Sequence, residues 1–376
     1  GFAHLFEHMM FQGSKHVGAD RHFDLLREVG ATDINGTTNR DRTNYFETVP
    51  AHQLETALWM ESDRMGFMLE LLTEESLANQ RDVVRNERRQ RYDNVPYGRE
   101  RFAVAAALYP EGHPYRYLTI GRHEELEAAS LAEIKAFFRR WYTPSNATLA
   151  LAGDFELERA KALIDKWFGG FPRLERAARQ RVAPPPLQAT TRGELPDAFA
   201  RLERVHYAWH APPALAEGAL ELRVIAEILG DAGWGRLHHR LVDEERLARR
   251  VSVYHDAAQY AGSFDLVVTL TPGAARARVE EVIAEELARL IAEPPSEDEL
   301  RRVVLATESA FVWSLERLGG RVNRLQWYNH YTGDPGYAKT ELERLRAVTP
   351  ASVRAAASRW LAGPRAEIIT TPGGGR

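Results

Sequence analysis

The sequence predicts an α+β fold built as two similar halves. Its 376 residues are enough for two domains with sizeable cores. Short runs of alternating hydrophobicity are interspersed with long runs of helical period, the pattern of mixed, mainly antiparallel sheets packed with helices. A proline cluster, Ala183-Pro184-Pro185-Pro186, separates the halves. The expected organisation is an N-terminal domain over 1–181, a linker over 182–194 and a C-terminal domain over 195–376.

In the first half, apolar periodicity places helices near 2–12, 19–29, 52–70 and 75–92 around a hairpin near 32–48. Further helices are expected near 100–108, 131–141 and 156–167, with a strand at 147–152. The second half opens with a strand near 203–209, followed by helices near 216–229 and 235–246. Strands at 250–257 and 263–271 come next, then helices from 274 to 361 and a last strand near 366–371.

Composition is that expected of a soluble globular protein: 44% hydrophobic and 27% charged residues, with a net charge of −4. A pI near 6.4 gives no overall pull toward nucleic acid or an anionic membrane. The arginines between Arg81 and Arg91 are broken up by Asp82 and Glu87 and read as a solvated helix face. Cysteine is absent, which excludes disulfides and thiolate-bound zinc. No stretch has the length and apolarity of a membrane-spanning helix.

The chemistry-bearing motif is His4-Leu5-Phe6-Glu7-His8. On a helix, residues i, i+3 and i+4 share one face, so both imidazoles and the carboxylate enter one small volume. Two nitrogen ligands plus an acid that can take a proton from a metal-activated water suit zinc-assisted hydrolysis. The pattern is H-x-x-E-H, an inverted zinc-peptidase signature. Its apolar surroundings, Phe2, Leu5, Phe6, Met9, Met10 and Phe11, indicate a buried helix, where His and Glu need partners.

A zinc site needs a third protein ligand and an open position. Glu87 is a candidate: on the helix around 79–89 it shares a stripe with Gln80 and Val84, close to Val83, while the arginines lie largely elsewhere. Glu74 and Glu75 are alternatives by spacing alone.

The His4–His8 motif with Val83-Val84 and Glu87 downstream resembles the pitrilysin/insulinase family of inverted-motif zinc peptidases. Further segments agree in order: Asp33-Ile34-Asn35-Gly36-Thr37-Thr38 with Thr43-Asn44-Tyr45, Asp93-Asn94-Val95-Pro96-Tyr97-Gly98, His113-Pro114-Tyr115, Tyr142-Thr143-Pro144-Ser145-Asn146-Ala147 and Gly153-Asp154-Phe155. The match continues through Ile228-Leu229-Gly230, Gly235-Arg236-Leu237 and Gly262-Ser263-Phe264. The resemblance implies homologous halves of which only the first binds metal, one Zn2+ per chain on His4, His8 and Glu87, and Glu7 as general base. It implies a metalloendopeptidase acting on peptides or unfolded polypeptide. Asn35, Gly36 and Thr37 resemble the family's substrate-side edge strand, where an extended peptide adds by main-chain hydrogen bonds; the same residues also suit an ordinary hairpin in which Gly36 relieves packing. Gln80 stands where the family often has a glutamate, which puts a supporting acid there in doubt and leaves a satisfied polar residue beside the site.

Family members enclose substrate between two such halves. The resemblance thus implies a second half supplied by the same native chain, a homodimer or a heterodimer. Because the family has strands before the motif helix and this sequence starts at Gly1, the first domain is expected to lack its beginning, and a bacterial periplasmic or secreted setting is favoured over the cytoplasm. The alternative function is a non-catalytic structural or partner subunit of a two-part peptidase. In the second half, His206 and His210 fall on an alternating segment and read as structural or surface residues rather than metal ligands.

Overall fold

A computed structural model of the chain describes residues 1–178 and 182–373. The expected boundary at 181 falls at residues 179–181, outside the described residues. Along the chain come α1 (Phe2–Met9), α2 (His22–Glu28), β1 (Thr32–Thr38), β2 (Thr43–Thr48), α3 (Leu54–Phe67), α4 (Glu74–Arg88), α5 (Glu100–Leu108), α6 (His123–Ala128), α7 (Leu131–Trp141) and α8 (Leu157–Phe168). They are followed by β3 (Thr191–Asp197), β4 (Arg204–Ala211), α9 (Ala219–Gly230), α10 (Arg236–His238), β5 (Ala248–Asp256), β6 (Gly262–Leu270) and α11 (Arg276–Ala292). The last elements are α12 (Glu297–Ser314), α13 (Leu318–Thr332), α14 (Ala338–Arg346), α15 (Pro350–Leu361) and β7 (Ala366–Pro372). The fold is α+β, with mostly antiparallel pairing.

Two compact units emerge. The first comprises Gly1–Arg89, Leu118–Gln180 and Leu318–Gln326. The second comprises Gln90–Tyr117, Arg181–Arg317 and Trp327–Arg376.

In the first unit, α1 packs against α4, α7 and the β1–β2 hairpin. Leu5 and Phe6 are fully buried, and Phe6 stacks on Phe137 with Phe138 and Tyr142 around it. Below the hairpin, Val17, Leu26 and Met60 form a second cluster. Helix α4 starts from a Thr73 capping box closed by Ser76. Its arginines are not merely a solvated face: Arg81 and Arg88 donate to the carbonyls of Ala129 and Gly121, and Arg85 pairs with Glu127. Carbonyls left over around α6 give these guanidiniums partners that a single-sequence charge pattern does not reveal. Residues 147–152 have strand-like alternation but form no ladder among the described residues, for want of a neighbouring strand.

In the second unit, five strands run in the order β3-β7-β4-β6-β5, with only β3 and β7 parallel. Trp209, Phe264, Leu266 and Val268 fill the space between this sheet and α9, α11 and α15. β3 is a strand not anticipated in the sequence, and it begins within the span read as linker; its Gly193 and Pro196 suit only an edge position, which is where it lies. Among the described residues no helix is long and apolar enough to cross a membrane.

Candidate metal centre

The site is assembled on α1. With 3.6 residues per turn, His4 and His8 stand one above the other, their ring centroids 4.8 Å apart and edge-on. Val84 is fully buried on α4 while Val83 points outward, and this rotation brings Glu87, one turn after Val83 and three residues after Val84, round to α1. Its Oε2 lies 3.3 Å from His4 Nε2 and 3.1 Å from His8 Nε2. All the candidate ligand atoms of these three residues fall within 4.8 Å of one another. Glu74 and Glu75 sit exposed in the first turn of α4, away from this group. Gln80 is buried two turns before Glu87.

The donor set fits zinc. Two imidazole nitrogens and one carboxylate oxygen are ordinary zinc ligands, and three protein ligands leave a fourth position open. Two ligands about 2.0–2.1 Å from a tetrahedral ion lie roughly 3.4 Å from each other, close to the separations found. His4 Nδ1 is buried and has no hydrogen-bond partner, so His4 has only its Nε2 side engaged, on the carboxylate.

Glu7 meets the hairpin. Its Oε2 accepts a hydrogen bond from Thr38 Oγ1 at 2.5 Å. Thr38 pairs with Thr43 across the last rung of the hairpin, their hydroxyls 3.0 Å apart. Tyr45 on β2 and Tyr142 after α7 lie near each other, and the Glu7 charge acts on both. Burial pushes both phenols above the usual tyrosine range. Behind Tyr45, the buried Arg64 lies 4.4 Å over its ring and pairs with Glu61. Burial, then the charge of Glu61, push the Glu47 carboxyl up to about 8, with Arg64 opposing. His22, beside Arg64, is pulled down to about 3 by burial and by that guanidinium, so it is neutral.

Of the expected substrate-side residues, Asn35 and Thr37 are exposed on β1 and Gly36 is buried. Asn35 Oδ1 accepts from Gly36 N at 2.8 Å, and Thr37 Oγ1 donates to Asn44 Oδ1 at 2.5 Å. One edge of β1 faces β2; the other has no strand partner among the described residues. A Cβ on Gly36 would come within 3.1 Å of Glu7 Cγ and Phe11 Cε2 and 3.2 Å of Tyr45 Cδ1. Gly36 therefore lets β1 lie directly on Glu7. Gly36→Val should overpack this contact and lower unfolding free energy by about 1–3 kcal/mol, measurable by urea denaturation.

Comparison with known proteins agrees with this layout. Residues 1–110 match the model of Insulinase (Peptidase family M16), and residues 128–306 match that of the Peptidase M16 inactive domain. The chain belongs to the insulinase family, peptidase family M16. All the candidate ligands and Glu7 lie in the part matched by the first M16 model, none in the part matched by the inactive-domain model. Among M16 relatives, zinc protease PqqE of Helicobacter pylori is 26% identical over 84% of this chain and 71% of its own length. An uncharacterized zinc protease of Mycobacterium leprae is 26% identical over 96% of this chain and 80% of its own. In fold, the chain superposes on a protease from Helicobacter pylori with a TM-score of 0.91 at 23% identity, covering 99% of this chain and 89% of that one. It also matches the periplasmic protease PqqL of Escherichia coli, with a TM-score of 0.78 at 18% identity, covering 99% of this chain but 43% of PqqL.

Thr38, Thr43, Tyr45 and Tyr142 were not expected as functional residues from the sequence. Each stands inside a segment that carries the family resemblance, but nothing in linear spacing brings Tyr142 to a hairpin about a hundred residues earlier.

Proposed function

We propose that this chain is a zinc-dependent metalloendopeptidase that hydrolyses peptides or unfolded protein segments. The observation that carries this reading is the convergence of His4, His8 and Glu87 within 4.8 Å, with Glu7 beside His8 but outside the group. His4, His8 and Glu87 would hold one zinc ion per chain. When bound, zinc acts as a Lewis acid, polarising the scissile carbonyl and making water acidic near neutral pH. Glu7 accepts a proton from the attacking water as its O–H bond breaks, and returns it to the amine nitrogen as the peptide C–N bond breaks. The edge of β1 that has no strand partner among the described residues, at Asn35, Gly36 and Thr37, offers main-chain groups to an extended peptide with little demand on its sequence. Gln80, buried two turns before Glu87 and unable to carry negative charge, is assigned only a supporting polar role.

PqqL is about twice the length matched here, and one solved fragment is described as its first half. On that basis we assign this chain as one half of a two-part enclosure, completed by a further stretch of the same chain, a second copy or a distinct partner. PqqL is described as periplasmic, and a periplasmic or secreted setting is part of the same proposal. The match of residues 128–306 to an inactive-domain model favours one other reading, a non-catalytic partner subunit.

The two are separated by incubating the zinc-loaded protein with a fluorogenic peptide, with and without a chelator. Chelator-sensitive cleavage that returns on adding zinc is the expected result. No cleavage by a protein holding one zinc per chain, alone or with a candidate partner half, would favour the partner subunit.

A further inference from the structure

Glu7 is the endpoint of a row of hydroxyls, and this row has a direction. A hydroxyl has one hydrogen to donate. Thr38 gives its hydrogen to Glu7 Oε2 at 2.5 Å, the length of a charge-assisted bond. The Thr43 hydroxyl, 3.0 Å from that of Thr38, must then be the donor of the pair. The phenols of Tyr142 and Tyr45 turn instead to α1, donating to the carbonyls of Ala3 and Phe6 at 3.5 Å. Two hydroxyls thus point one way, the second polarising the first, and end on one carboxylate oxygen.

We propose that Thr38 is a positioning residue for the hydrolytic reaction: its hydroxyl, backed by Thr43, holds Glu7 Oε2 so that Oε1 is the oxygen that takes the proton. The inference rests on the functional reading above and deepens it. A carboxylate with Oε2 engaged by the hairpin is restrained from turning to join His4, His8 and Glu87, so it serves as the base and not as a ligand. The same packing explains Gly36. A side chain there would occupy the space of Glu7 Cγ and push the carboxylate off Thr38.

Two substitutions separate this role from plain packing. Thr38→Val keeps the side-chain shape and removes the hydroxyl; Thr38→Ser keeps the hydroxyl and removes a methyl. In the zinc-loaded full chain, Thr38→Val should lower kcat about 10- to 100-fold, as for loss of a hydrogen bond to a charged group. KM and zinc content should stay at wild-type values, and Thr38→Ser should recover kcat to within about threefold. Metal-free crystal structures supply a second readout: the Glu7 carboxylate should leave its place in Thr38→Val and keep it in Thr38→Ser. A wild-type kcat in Thr38→Val would overturn the proposal, as would an equal loss in both variants. If the wild-type protein cleaves no peptide, it is the functional reading that fails. The crystal structures then decide alone, and an unmoved Glu7 in Thr38→Val overturns the positioning role.

Discussion

Replacing Glu7 by Gln is expected to leave about one zinc per chain and to slow peptide cleavage by about 10²–10⁴-fold. The amide oxygen of the substituted side chain would still accept the hydrogen of Thr38, so the hairpin contact and the fold should persist. What disappears is a group able to take a proton. Because Glu7 stands outside the cluster of His4, His8 and Glu87, metal binding and proton transfer should separate cleanly in this variant. Metal analysis and steady-state kinetics on the same preparation check both halves of the expectation. Activity near the wild-type level would remove Glu7 from the mechanism, and loss of zinc would make it a ligand.

The second large effect lies in the other unit and concerns stability. His206 on β4 is buried between two carboxylates: Nδ1 is 2.8 Å from Glu100 Oε1 at the start of α5, and Nε2 is 2.8 Å from Asp265 Oδ1 on β6. Thr370 donates to the free oxygen of Glu100 and Ser263 to that of Asp265, so the carboxylates are satisfied on both sides. Burial pulls the imidazolium pKa down, but the hydrogen bonds and charges of Asp265 and Glu100 outweigh it and raise it to about 9. A folded value above the unfolded one of about 6.5 means that the charged form is favoured by folding. This contribution is complete below about pH 6.5 and is lost as pH rises through about 9, a fall of roughly 3 kcal/mol. His206→Asn leaves Glu100 and Asp265 buried without their shared cation, and should cost about 3–5 kcal/mol at pH 7. Urea denaturation from pH 6 to 9.5 should show the wild-type advantage over His206→Asn shrinking as pH rises. A pH-independent difference would mean that His206 is held neutral.

This cluster also marks where sequence reading stops. His206 was read as a structural or surface residue; it is buried, and its partners come from 59 and 106 residues away. The helix bearing Glu100 lies in the first half of the sequence, yet residues 90–117 group with the second unit. No local period encodes that choice. By contrast, the information for the candidate metal site is local: His4, Glu7 and His8 lie within five residues on one helix. Glu87 needed the resemblance to choose it over Glu74 and Glu75, and tertiary structure then placed those two in the exposed first turn.

The helices that matter most for the site, α1, α4 and α7, were readable from their apolar stripes. α7 in addition carries its own capping signal in Ser130 and Glu133. The hairpin of β1 and β2 was expected too, and at its tip Asn39 accepts from the backbone of Asp41 and Arg42, a turn device of Asn. β3 was not, because Gly193, Pro196 and Asp197 have poor strand propensity and the strand exists only through its pairing with β7. The converse holds at 147–152, where good strand propensity meets no partner among the described residues.

That one zinc ion is held by His4, His8 and Glu87 is tested most directly by metal analysis of purified wild-type, His8→Ala and Glu87→Ala proteins, each dialysed against a trace of zinc. About one zinc per wild-type chain, and less than about a tenth of that in either variant, is the predicted result. Equal zinc in all three proteins, or none in the wild type, would contradict it.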